Sequence, residues 1–110
     1  MYDYKAEVLN VVDGDTIDVR IDCGFRMYRD ERLRLMSIDA PEVRRPTKEA
    51  GDAATEYAKE KLLGQTVIIR TVKDGKDSFG RYLATIYTDD GISFNQRMVN
   101  DGHAVLKDYR

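Results

Sequence analysis

Apolar and polar residues alternate along most of this chain, in short runs punctuated by Gly, Asp and Pro. Residues 4–13 read as a strand ending at Asp13-Gly14. Residues 15–22 (DTIDVRID) set Ile17, Val19 and Ile21 against polar neighbours, the pattern of a half-buried strand. A charged hairpin tip from Cys23-Gly24 to Arg29-Asp30 follows. Residues 31–38 (ERLRLMSI) then resume the alternation, with Leu33, Leu35 and Ser37 on one side and Arg32, Arg34 and Met36 on the other. Ala40-Pro41 stops that strand, since proline has no amide for a ladder and holds its predecessor extended.

Beyond the proline the period changes. Ala50, Ala53, Ala54, Tyr57, Ala58 and Leu62 recur at three- and four-residue spacing, which predicts a helix of about four turns ending near Leu63. Gly64 suits the left-handed residue past a helix end. Residues 66–72 (TVIIRTV) and 80–88 (GRYLATIYT) are strands, with a turn signal at Asp74-Gly75. A short helix is predicted from an N-cap at Ser93 to about Asp101, with Gly102 as terminator. Five strands with a helix between the third and the fourth is the order of an OB-type barrel. The expectation is a mainly β (α+β) fold, a five-stranded OB-type barrel with two to three helices packed on it. A generic sheet with helices on one face gives the same string. The 110 residues fit one domain, 1–110.

Composition narrows the chemistry more than the fold. Hydrophobic residues make up 42% and charged residues 35%, enough for one core under a charged surface. A net charge of −2 argues against a protein that merely coats nucleic acid, but leaves room for a few placed arginines. With one cysteine, Cys23, and one histidine, His103, an intrachain disulfide is ruled out and a Cys/His zinc site nearly so. Any bound metal would need oxygen ligands, which points to a hard cation such as Ca²⁺ or Mg²⁺. Cys23 and His103 read as structural or surface residues. The opening MYDYKAEVLNVV is no signal peptide, and no apolar run reaches membrane-spanning length. The chain therefore reads as cytoplasmic, although a processed secreted form would look the same, and as a monomer with no membrane partner.

Three segments place charge where a strand ends. Asp13-Gly14-Asp15-Thr16 is equally an ordinary turn. In Arg34-Leu35-Met36-Ser37-Ile38-Asp39-Ala40-Pro41-Glu42, an arginine sits in an apolar strand and two carboxylates flank a proline corner, a less usual combination. Asp77-Ser78-Phe79-Gly80-Arg81 alone is a hairpin start with a surface arginine. Together they supply a set of parts for phosphodiester chemistry. Asp15 and Asp39, with a main-chain carbonyl near Ala40, offer hard oxygens to a cation. Arg34 and Arg81 offer guanidinium groups to a charged phosphate, and Glu42 is left to handle a water proton.

The segments VVDGDTIDV, RLMSIDAPE, the amphipathic helix, DSFGRYLATIY and FNQRMVNDG resemble, in order and approximate spacing, the successive motifs of the staphylococcal nuclease (thermonuclease) family. The match covers about residues 5–104. The resemblance implies a five-stranded OB-type barrel and a Ca²⁺-dependent nuclease acting on DNA, RNA or both. In that chemistry water attacks phosphorus, the 5′-oxygen leaves and 3′-phosphate ends result. By motif position it implies calcium ligands at Asp15, Asp39 and the carbonyl of Ala40. It also implies phosphate-gripping Arg34 and Arg81, a general base at Glu42, and supporting acids at Asp13 and Asp77.

The chain departs from the family pattern on the substrate side. Ser78 and Phe79 stand where a lysine and a tyrosine are frequent, and Phe79 retains the ability to stack on a base. Tyr109 lies near the family's nucleotide-contacting tyrosines. The segment between Asp15 and Arg34 is longer than in the best-known member, and its extra residues bring Arg26, Arg29 and Arg32 together. That cluster, like Arg44-Arg45-Lys48, reads equally as a nucleic-acid contact or as solvated surface. The rival to a nuclease is a non-catalytic OB-type module binding nucleic acid or peptide. Such copies usually lose acids or arginines from the set, and this chain has kept them.

Overall fold

A computed structural model describes residues 2–43, 46–76 and 80–107, without the side chains of residues 73 and 74. Strands β1 (Tyr2–Asp13), β2 (Thr16–Asp22), β3 (Tyr28–Leu35), β5 (Thr66–Lys76) and β6 (Tyr82–Tyr87) close into a barrel in the order β1-β2-β3-β6-β5. All neighbours are antiparallel except β3 and β6, which run parallel through Leu33↔Tyr82, Arg34↔Leu83 and Leu35↔Ala84. The chain makes that parallel return through helix α1 (Lys48–Leu62) and β5. Helix α2 (Phe94–Asn100) packs on β6, and a two-stranded ribbon joins β4 (Ile38–Asp39) to β7 (Val105–Leu106). The OB-type expectation holds, with two helices.

The alternation puts Ala6, Val8, Ile17, Val19, Leu33, Leu35, Val67, Ile69, Ala84 and Ile86 inside the barrel, all buried. A register shift between Val8 and Asn10 changes the phase of β1, so that Val11 follows Val8 into the core while Leu9 stays exposed. Among the described residues no helix is long and apolar enough to cross a membrane.

Three expectations are corrected. The turn expected at Asp74-Gly75 falls inside β5, which runs on to Lys76 with an irregular register against β6 between Thr71 and Lys76. The strand expected to run through 31–38 ends at Leu35, and the chain turns at Met36-Ser37 before β4 begins. Ser37 is left-handed, with φ 66°, and cannot continue a ladder. The corner that redirects the chain toward Asp39 is therefore this turn, ahead of the proline. On α1 the buried stripe is Gly51, Ala54, Thr55, Ala58 and Leu62, while Ala50 and Ala53 are exposed. The stripe is rotated because the helix lies against the backbone of Glu42 and Val43: a methyl on Gly51 would sit 2.3 Å from the Glu42 carbonyl oxygen.

The Met36-Ser37 turn is fastened from α2. Ser93 caps that helix, accepting from the Gln96 N–H (3.2 Å), and so fixes where Asn95 points. The buried Asn95 amide donates to the carbonyls of Met36 (2.9 Å) and Ala84 (3.1 Å), and its oxygen accepts from the Ile86 N–H (3.1 Å). Replacing it takes a partner from three buried backbone groups, of which the Ala84 carbonyl still accepts from the Met36 N–H (2.8 Å). Asn95→Ala is expected to lose about 3 kcal/mol in urea unfolding, against near-native stability if water takes over these bonds.

Candidate active site

Arg34 sits at the end of β3, facing away from the barrel interior yet only 5% exposed, because the Met36–Asp39 turn folds over it. Its Nη1 donates to the carbonyls of Leu35 (2.8 Å) and Ile38 (2.9 Å). Its Nη2 donates to Asp39 Oδ1 (2.8 Å) and lies 3.3 Å from Asp15 Oδ2. One guanidinium nitrogen thus gathers two carboxylates twenty-four positions apart in the chain.

Asp15 reaches this point from the Asp13–Thr16 turn joining β1 to β2. It is 8% exposed. Asp13 Oδ1 accepts from the Asp15 N–H (3.1 Å), Thr16 Oγ1 donates to Asp15 Oδ1 (3.1 Å), and the Ala40 N–H donates to Asp15 Oδ2 (2.9 Å). Gly14 makes the close approach possible. A methyl there would lie 2.8 Å from the Ala54 methyl of α1 and 2.9 Å from that of Ala40. Arg81, just ahead of β6, donates from Nη1 to Thr16 Oγ1 (3.2 Å), so it reaches the same corner through Thr16.

The structure accordingly brings together Asp13, Asp15, Arg34, Asp39, Ala40 and Arg81. Glu42 follows three residues beyond Asp39, exposed, with its carbonyl held by Thr47 Oγ1 (2.9 Å) and its backbone packed on Gly51. Arg44, Arg45, Asp77, Phe79 and Tyr109 lie outside the described residues. The cluster anticipated at Arg26, Arg29 and Arg32 is divided, because Arg29 pairs with Glu31 and Arg32 with Asp18.

Sequence reading passed over Thr16, Gly51, Asn95 and Lys107. Lys107 Nζ lies 3.9 Å from Asp39 Oδ2, carried there by the β4–β7 pairing. Gly51 had a signal, since a glycine inside an amphipathic helix marks a close backbone approach. Asn95 had one too, an amide beside the apolar face of Phe94 and Met98.

The electrostatics favour a cation. Burial, then the neighbouring Asp13 carboxyl, push the Asp15 acid up from its ordinary range, and the Ala40 N–H and Arg34 offset this only in part. A buried carboxylate beside a second carboxylate is the oxygen-donor type a hard divalent ion takes, and the Ala40 group that meets Asp15 here is its N–H. Among the described residues no three His, Cys, Asp or Glu side chains are placed to hold a metal ion together, so carbonyl oxygen and water would complete the shell.

A family model described as "Staphylococcal nuclease homologue" matches residues 32–110. The chain is 35% identical over 102 residues to an Escherichia coli O157:H7 protein named "Uncharacterized endonuclease", covering 93% of this chain and 60% of that protein. It is 35% identical over 105 residues to the "Thermonuclease" of Staphylococcus intermedius, covering 93% of this chain and 59% of that one. It is also 30% identical over 111 residues to "Endonuclease YhcR" of Bacillus subtilis, covering 93% of this chain and 9% of that protein. The chain spans about three fifths of the length of the first two relatives.

The upward shift of the Asp15 pKa fixes the sign of a stability effect. The folded state holds this proton more tightly than the unfolded chain does. The favourable contribution is therefore complete below the ordinary carboxylate range, about pH 4, and is lost as pH rises through the higher folded value. Metal-free Asp15→Asn keeps an acceptor for the Ala40 N–H. It is expected to be at least as stable as the native chain at neutral pH, with the difference closing toward about pH 4. Thermal unfolding in chelator across pH checks this, and a variant markedly less stable at neutral pH contradicts it.

Proposed function

We infer the activity of this chain from its place in the protein world: it belongs to the staphylococcal nuclease family, and it acts as a Ca²⁺-dependent nuclease hydrolysing phosphodiester bonds of DNA, RNA or both. The observation that carries this reading is the convergence of Asp15 and Asp39 on one nitrogen of the buried Arg34, with Arg81 linked to the same corner through Thr16. A binding module has no need of two carboxylates held together against their repulsion, whereas a metal-assisted hydrolase does.

The roles follow from the chemistry of each residue and where it sits. Arg34 commits Nη1 to two carbonyls, which fixes the plane of its guanidinium. Its Nη2 faces Asp39 and Asp15, so Nε is the donor on that edge that meets a non-bridging phosphate oxygen. Arg81, half-buried and just ahead of β6, approaches the phosphate from a second direction, so that charge developing on the equatorial oxygens is met by two preset cations. Glu42 is exposed at the rim, where a water molecule can reach it, and accepts a proton from that water as its oxygen attacks phosphorus. The bond to the 5′-oxygen breaks, the leaving oxygen takes up a proton from solvent, and the phosphate stays on the 3′ side. Asp15, Asp39 and the Ala40 carbonyl are the groups that would hold a Ca²⁺, which would supply Lewis-acid charge against the phosphate.

Cleavage of single- and double-stranded substrates with Ca²⁺, Mg²⁺ or chelator, with product ends identified, tests the reading. The expected outcome is cleavage in Ca²⁺ giving 3′-phosphates and none in chelator. Glu42→Gln is expected to lower kcat by about 10²–10⁴ with an unchanged melting temperature. Full cleavage in chelator, or binding of nucleic acid without any cleavage, contradicts it.

A further inference from the structure

The hairpin joining β2 to β3 carries a second feature at its far end. Gly24, Phe25 and Arg26 are successively left-handed, with φ 79°, 56° and 61°. For the two non-glycine residues this conformation is sterically unfavourable. Hydrogen bonds hold the tip in it: Met27 N–H donates to the Gly24 carbonyl (2.9 Å), Cys23 N–H to the Met27 carbonyl (2.8 Å), and Gly24 N–H to Asp22 Oδ1 (2.9 Å). The result is a phenyl ring that is 99% exposed, flanked by the exposed Met27 and Tyr28. The conformation lowers neither strain nor apolar exposure. It presents an aromatic ring.

Charge at the tip indicates the occupant. Along the hairpin Arg20 pairs with Asp30, Arg29 with Glu31 and Arg32 with Asp18. Arg26 has no carboxylate partner among the described residues and stands beside the exposed ring, while Asp22, the remaining acid of the hairpin, accepts from the Gly24 N–H. The face is continuous with the active site, because Tyr28, Asp30, Arg32 and Arg34 alternate onto one side of β3. Six residues separate Tyr28 from Arg34, about 20 Å at roughly 3.3 Å each. That distance corresponds to about six stacked nucleotides.

We propose that the Phe25–Tyr28 tip is a secondary nucleic-acid site, which stacks on an unpaired base and holds a phosphate with Arg26 several nucleotides from the bond cut at Arg34. An aromatic platform beside an unpaired guanidinium is the recurring means of gripping single strands without reading sequence. The proposal rests on the nuclease reading and adds to it a reason for the chain to favour long unpaired strands over short ones.

The test compares native protein with Phe25→Ala/Arg26→Ala on a dinucleotide and on a single strand of about twelve nucleotides. The native enzyme is expected to show the lower KM on the long strand. The double variant raises that KM by roughly fivefold or more with kcat unchanged, and leaves the dinucleotide kinetics as they were. Phe25→Leu, which keeps apolar bulk without a ring, is expected to show most of the Phe25→Ala effect. Unchanged KM on the long strand, or an equal loss on the dinucleotide, overturns the tip site while leaving the nuclease reading intact. Full rescue by Phe25→Leu overturns the stacking, since an aliphatic side chain has no ring to offer a base. Absence of cleavage by the native protein overturns the nuclease reading itself.

Discussion

Everything at this site depends on one buried guanidinium. Arg34 is among the least exposed charged residues of the barrel, and an arginine taken out of water is tolerated only when its donors are satisfied. Two of its donors go to the carbonyls of Leu35 and Ile38, on either side of the Met36-Ser37 turn, and two face Asp39 and Asp15. The same set of contacts closes the turn, joins the β1–β2 turn to the end of β3, and brings two carboxylates together. A lysine has a single ammonium and could not span four acceptors in that plane.

Small residues make the rest of the arrangement possible. Gly14 lets the Asp13–Thr16 turn lie against Ala40 and Ala54, and Gly51 lets α1 lie against the Glu42 backbone. Asn95 anchors the turn from the opposite side, and the β4–β7 ribbon brings Lys107 to Asp39. The acidic corner is thus braced by both helices and by the short ribbon, while the hairpin beyond Arg32 projects away from it. Rigidity is concentrated where charge must be preset, and the exposed surface lies at the hairpin tip.

The barrel was legible because alternation in β1, β2 and β6 and the helical spacing of α1 are local signals that burial then confirms. Arg34 and Asp39 were legible for a related reason, since a charge inside an apolar run is conspicuous. Asp15 was not, because Asp-Gly-Asp describes any turn until the pairing of Thr16 with Arg34 places it beside the guanidinium. The Met36-Ser37 corner escaped notice because a left-handed serine has no compositional mark, whereas the neighbouring proline drew attention to itself. The rotation of the α1 stripe was hidden for a similar reason: alanine is at home on either face, and only the contact with Glu42 decides it.

The central claim is that Arg34 serves fold and chemistry through the same hydrogen bonds. Measuring Arg34→Lys for both unfolding free energy and cleavage tests it directly. The account predicts that the variant loses about 3 kcal/mol of stability and at least about a hundredfold in kcat together. A variant that cleaves at the native rate, or one that loses activity while keeping its full stability, would contradict it.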